Sequence, residues 1–98
     1  MAFKLWYSET AERHLLSLKN DPSKRRILKD VIKTLQYMEV NLRHPSLNTH
    51  EYHNLKGPSG EKIFEAYAQQ KTPGAYRIFW HYGPKKNMIS ILAIIPHP

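Results

Sequence analysis

Arg77 sits inside an apolar, strand-like run, and His97 follows a second such run. A guanidinium fixed on a strand stays charged and can grip a phosphate through two parallel hydrogen bonds. An imidazole titrates near neutral pH and can hand over a proton. Upstream, Glu51, His53 and Lys56 add complementary groups. Glu51 or His53 could take the proton of a ribose 2′-hydroxyl, and His97 could protonate the leaving 5′-oxygen. Arg77 and Lys56 could then neutralise the charge that builds on phosphorus. RNA brings its own nucleophile to such a reaction, so no cofactor is expected. Each group also has a plainer use. Arg77 could pair with Glu65 on a neighbouring strand, and Lys56 could be a solvated loop lysine. The loop histidines could be surface polar residues, the reading adopted for His14 and His44. The chain has six histidines, but their spacing matches no strong zinc pattern, so no metal is expected.

These groups need elements to position them. Runs 75–82 and 88–95 flank the turn-rich Gly83-Pro84-Lys85-Lys86-Asn87, a β-hairpin signal. Alternation in the first run puts Tyr76, Ile78, Trp80 and Tyr82 on one face, suited to packing. Ala75, Arg77, Phe79 and His81 fall on the other, suited to a ligand. Residues 62–68 read as another strand, and alternation groups Ile63, Glu65 and Tyr67 apart from Lys62 and Phe64. Which set lies beside Arg77 depends on a register the sequence leaves open.

Residues 3–7 read as a short buried strand. Ser8 can cap a helix that begins at Glu9, with Glu9 and Glu12 near its positive end. Asn20-Asp21-Pro22 ends that helix, and Asp21 with Pro22 starts a second over about 22–42. Its stripe is Leu28, Val31, Leu35, Met38 and Leu42, widened by Ile27 and Ile32. Residues 44–60 read as a long polar loop with Leu55 as its one apolar anchor. The predicted order is β-α-α-β-β-β, an α+β fold with an antiparallel sheet and two N-terminal helices on one face.

Ninety-eight residues make a single domain over 1–98. With no cysteine, disulfides and thiolate metal sites are excluded, which suits a reducing compartment. No secretory signal or membrane-spanning run is visible, so a soluble cytoplasmic protein is expected. Fifteen Lys and Arg against eight Asp and Glu give a formal charge of +7. Such a domain is drawn to polyanions: nucleic acid, the ribosome or an acidic protein.

Several of these features together resemble the RelE/ParE superfamily of bacterial type II toxin–antitoxin toxins. They are the element order, Ser8-Glu9 after the first strand, Leu55-Lys56-Gly57 with Gly60, Tyr76-Arg77-Ile78, and a last strand ending in His97. The resemblance spans nearly the whole chain. It implies a cognate antitoxin partner and, in the ribosome-dependent branch, cleavage of mRNA by metal-independent acid–base chemistry. Arg77 would then bind the scissile phosphate, and His97 would act as general acid. The region of Glu51, His53 and Lys56 would supply the base or a lysine. RNA contacts would come from Lys56, Lys62, Arg77 and Tyr67, with Tyr52, Phe79 and Trp80 as further stacking rings. The chain departs from the family pattern in two places. Glu65 stands where many active members have a basic residue, with Lys62 three positions away. Pro98 stands where a tyrosine often follows the terminal histidine. Two other readings follow: a ParE-like inhibitor of DNA gyrase that acts by binding, and a degenerate member that only binds.

Overall fold

A computed structural model describes residues 2–97. Pro98, the second departure from the family pattern, lies outside the described residues. The chain opens with β1 (Lys4–Tyr7) and α1 (Glu9–Lys19). The Ser8 hydroxyl accepts the Ala11 N–H at 3.0 Å and donates to the Leu92 carbonyl at 3.0 Å. One side chain therefore caps the helix and ties it to the last strand. Asp21 caps a 3-10 turn at Pro22–Lys24 by accepting the Ser23 N–H. That turn runs into α2 (Arg25–Val40), two residues shorter at its end than the apolar stripe suggested. Val31, Leu35 and Met38 are buried as that stripe requires, but Ile32 is exposed.

Four more strands follow: β2 (His50–Lys56), β3 (Lys62–Tyr67), β4 (Tyr76–Tyr82) and β5 (Met88–Pro96). They form one sheet in the order β1-β5-β4-β3-β2. The α+β class and the predicted element order are found, with one strand added. The sheet is mixed: β1 runs parallel to β5, and the other pairings are antiparallel. The added strand is β2, inside the segment read as a long loop. Its residues are mostly exposed, so no alternation of burial marks it. Pairing with β3 holds it instead, broken by a register shift between Glu51 and Lys56. The apolar anchor of that segment is Leu47, almost fully buried, whereas Leu55 is exposed.

Strand β4 separates the two faces of the sheet. Tyr76, Ile78 and Trp80 join Ala11, Leu18, Val31, Leu35, Met38, Ile89, Ile91 and Ile94 in the core beneath the helices. Arg77, Phe79 and His81 occupy the opposite face and are buried there too. Continuity across strands puts Glu65 and Tyr67 of β3, and Ala93 and Ile95 of β5, on that same face.

Candidate functional site

The register left open by the sequence resolves with Tyr67 opposite Arg77 and Glu65 opposite Phe79. Ile63, Glu65 and Tyr67 therefore share the face of Arg77, and Lys62 does not. The Arg77 guanidinium lies 3.6 Å from the centroid of the Tyr67 ring. It donates to the Gln69 carbonyl at 2.6 Å and to the Tyr76 carbonyl at 3.3 Å. Its Nε stands 3.8 Å from Glu65 Oε2, and the two side chains are 5% and 2% exposed. The other carboxylate oxygen of Glu65 meets His50 Nε2 at 2.7 Å. The second nitrogen of that ring, Nδ1, faces the Asn48 carbonyl at 3.0 Å. A carbonyl and a carboxylate can only accept, so both bonds form together when both ring nitrogens carry protons. Glu65 is thus buried between the Arg77 guanidinium and the His50 ring.

This arrangement answers the two uses weighed for Arg77. The pairing with Glu65 is present, and the guanidinium is covered rather than presented to solvent. A phosphate could replace Glu65 as its partner only if Tyr67 or Glu65 moved. Tyr67 has one ring face occupied by Arg77, which leaves at most the other for a base.

His97 comes to the same face. Its N–H donates to the Ala75 carbonyl at 2.8 Å, which extends the pairing of Arg77 with Ile95 by two residues. Diagonal neighbours of this kind lie roughly 7–8 Å apart. The imidazole is exposed.

Three other expected members of the site stand elsewhere. Glu51 pairs with Phe64, whose ring stacks on Trp80 on the helix side of the sheet. Glu51 and His53 contact each other at 3.3 Å. They are two residues apart on β2 and so lie on the face opposite Arg77, which does not bring a base to Arg77 and His97. Lys56 pairs with Lys62 at the far end of β3. Lys62 is five residues from Tyr67, about 17 Å along the strand. Lys56 instead borders a groove of about 430 Å³ lined by Tyr52, Leu55, Phe79, Leu92 and Ile95. Tyr52 packs edge-on against Phe79 in that groove. Trp80 is in the core and is closed to stacking by a base. Among the described residues no group of three His, Cys, Asp or Glu is placed to hold a metal. No helix among them is long and apolar enough to cross a membrane.

The sequence missed His50 as a partner of this network, because the residue fell in the apparent loop. Two histidines set aside as surface residues also have defined contacts. His14 Nδ1 accepts the Ile94 N–H at 3.1 Å, and the His44 ring stacks on Tyr37 at 3.9 Å.

No protein-family model matches the sequence. No curated protein matches it either. Solved structures do match in fold over nearly the full chain. The archaeal RelE of the RelE–RelB complex from Pyrococcus horikoshii aligns with a TM-score of 0.65 and 14% identity, covering 98% of this chain and 96% of that one. A YoeB/ParE toxin from Agrobacterium tumefaciens gives a TM-score of 0.69 at 8% identity, covering 98% and 100%. A chain of the YoeB–YefM complex from Staphylococcus aureus gives 0.66 at 12% identity, covering 100% of both chains. The protein has the RelE/ParE-like toxin fold.

Proposed function

We propose that this RelE/ParE-like protein is the toxin of a type II toxin–antitoxin module, held inactive by a cognate antitoxin and directed at mRNA on the ribosome. The whole-length fold match to RelE and YoeB toxins, some solved with an antitoxin, supports the toxin assignment. One geometric observation carries the choice of mRNA: an exposed imidazole, His97, beside a guanidinium on the open face of the sheet. In this reading the RNA linkage lies along β5, and His97 protonates the leaving 5′-oxygen. Arg77 acts from beneath, as a fixed positive charge under the linkage. Glu51 and His53 take no part, so water or the RNA itself must accept the 2′-hydroxyl proton.

One observation favours a second reading. Glu65 stands 3.8 Å from Arg77 Nε where a phosphate would be needed, as a catalytically degenerate member that only binds would have it. Inducible expression with mapping of mRNA 5′ ends separates the two. Cleavage predicts growth arrest and cuts at a fixed position within codons, both lost in His97→Ala. Growth arrest with intact mRNA, unchanged in His97→Ala, would remove the nuclease reading. Induction of DNA damage signalling alongside it would point to a gyrase inhibitor.

A further inference from the structure

Strand β1 forms one edge of the sheet and β2 the other. The two edges are built differently. The register shift in β2 between Glu51 and Lys56 breaks the regular spacing that a further strand would need. Strand β1 pairs with β5 in an unbroken register, and Lys4 is its one charged residue. On its inner side the Lys4 and Ser8 N–H groups donate to the Asn87 and Ile91 carbonyls, each at 2.9 Å. By alternation Trp6 turns its N–H and carbonyl the same way, whereas Leu5 and Tyr7 turn theirs outward. Those outward groups have no backbone partner among the described residues. Nearer the chain start the Phe3 N–H donates to the Glu39 carbonyl at 2.7 Å, so the open edge runs from Leu5 to Tyr7.

Apolar side chains flank this edge on both faces of the sheet. Leu5 and Tyr7 pack towards the core beneath the helices, so Trp6 between them lies on the face of Arg77, where it is 49% exposed. On the helix side Leu16 is exposed beside Tyr7 and Leu15, and Ile32 is exposed across a groove from Leu5 and Tyr7. Unpaired backbone groups between exposed apolar side chains make a surface for strand addition.

We propose that the strand added there is β1 of a second copy, running antiparallel about a two-fold axis at Trp6. Bonds can form only between outward groups, so Leu5 exchanges N–H and carbonyl with Tyr7 of the second copy, and Tyr7 does so with its Leu5. That register sets the two Trp6 residues opposite each other at a non-hydrogen-bonded position. Facing side chains come closest there, and an aromatic pair is favourable. Any strand could satisfy the backbone groups, but the symmetry of a second copy guarantees the aromatic partner for Trp6. It also brings Lys4 opposite Ser8 of the second copy, beside Glu9, an exposed acid that meets Arg13 of its own helix at 2.9 Å. A cation then lies near an anion at each end of the seam. The seam is two strands away from β4, so it leaves Arg77 open to substrate and does not depend on the proposed cleavage. Three paired residues a side make a small interface of the transient class, with a dissociation constant on the order of 100 μM. Each copy carries a formal charge of +7, so added salt should tighten the dimer by screening the repulsion.

Sedimentation equilibrium of the full chain from about 5 to 500 μM, at low and high NaCl, tests this. The average mass should rise from the monomer value towards twice that, and at lower concentration in high salt. Trp6→Lys sets two cations opposite each other at the closest position and should weaken the dimer about tenfold or more. Leu55→Lys makes the same change at an exposed leucine on the other edge strand and should leave the mass curve unchanged. Circular dichroism of both variants confirms that each is folded. Amide hydrogen exchange reads the seam directly. The Leu5 and Tyr7 amides should exchange freely at the lowest concentration and slow at the highest, while the Trp6 amide is slow at both. A wild type that stays monomeric throughout would overturn the pairing and leave the edge to a strand of another protein. Dimers that survive Trp6→Lys, or that leave the Leu5 and Tyr7 amides fast, would place the contact elsewhere and overturn it equally.

Discussion

Arg77 is gripped by a carboxylate, two carbonyls and an aromatic face, and this changes what its substitution can report. Removing one partner of a buried ion pair costs about 3–5 kcal/mol, and the contact Glu65 keeps with His50 at 2.7 Å puts Arg77→Ala at the lower end of that range. Arg77→Ala should therefore destabilise the fold by about that much in urea denaturation, so loss of activity in this variant alone says little about catalysis. Replacing both charges, as in Arg77→Met with Glu65→Leu, should recover most of the lost stability. A double variant as weak as the single would mean that the carbonyl and Tyr67 contacts of Arg77, rather than Glu65, hold this corner. His97 is the cleaner probe: its ring is exposed, and His97→Ala should change stability by less than about 0.5 kcal/mol. The sequence made the Arg77–Glu65 pairing thinkable, because alternation puts Glu65 and Tyr67 on one face. It could not reveal the burial of the pair, which depends on His50 closing over it from a strand that looked like loop.

At the scale of elements, Ser8 connects α1 to β5 through one hydroxyl. It acts as acceptor for the helix cap and as donor to Leu92, the extra residue where β5 shifts register against β4. Ser8→Ala loses both bonds and should cost about 1–2 kcal/mol. Ser8→Thr keeps both functions. Ser8→Asp keeps the cap but cannot donate to the Leu92 carbonyl, so chemical denaturation should rank Thr above Asp above Ala. An Asp variant as stable as wild type would show that the tie to Leu92 adds nothing. The capping signal at Ser8, the stripe on α2 and the alternation of β4 were readable because each reflects burial on one side of a regular element. Strand β2 was not, because His50-Glu51-Tyr52-His53-Asn54-Leu55-Lys56 is polar and exposed and is held by hydrogen bonds to β3. That one omission reversed the placement of Glu51 and His53. A strand fixes the side each residue faces, whereas a loop had left them free to reach Arg77. The parallel pairing of β1 with β5 was equally hidden, since it joins the two ends of the chain.

Across the whole molecule, His14 fastens the first helix to the last strand by accepting the Ile94 N–H. Only an unprotonated Nδ1 can accept. Burial, and secondarily the nearby positive charge of Arg13, hold the His14 pKa below its ordinary value of 6.5. Just below pH 6.5 the unfolded chain therefore binds a proton that the folded chain refuses. The contribution of His14 is complete above about pH 6.5 and is lost as the pH falls through the lowered folded value. At the alkaline end Tyr7 behaves in the opposite sense. Burial and the charge of Glu39 raise its pKa above 10, so stability should fall once the unfolded phenol ionises. Melting temperatures measured from pH 7.5 down to about 5 should decline for the wild type. They should decline less for His14→Gln, whose amide oxygen can accept the same N–H without titrating. Taking the difference between the two curves cancels the other histidines and the carboxylates, because both proteins share them. Parallel curves would mean that the helix and strand stay joined when the imidazole is charged, and that packing of Ala11 and Leu18 beneath the sheet does the fastening instead.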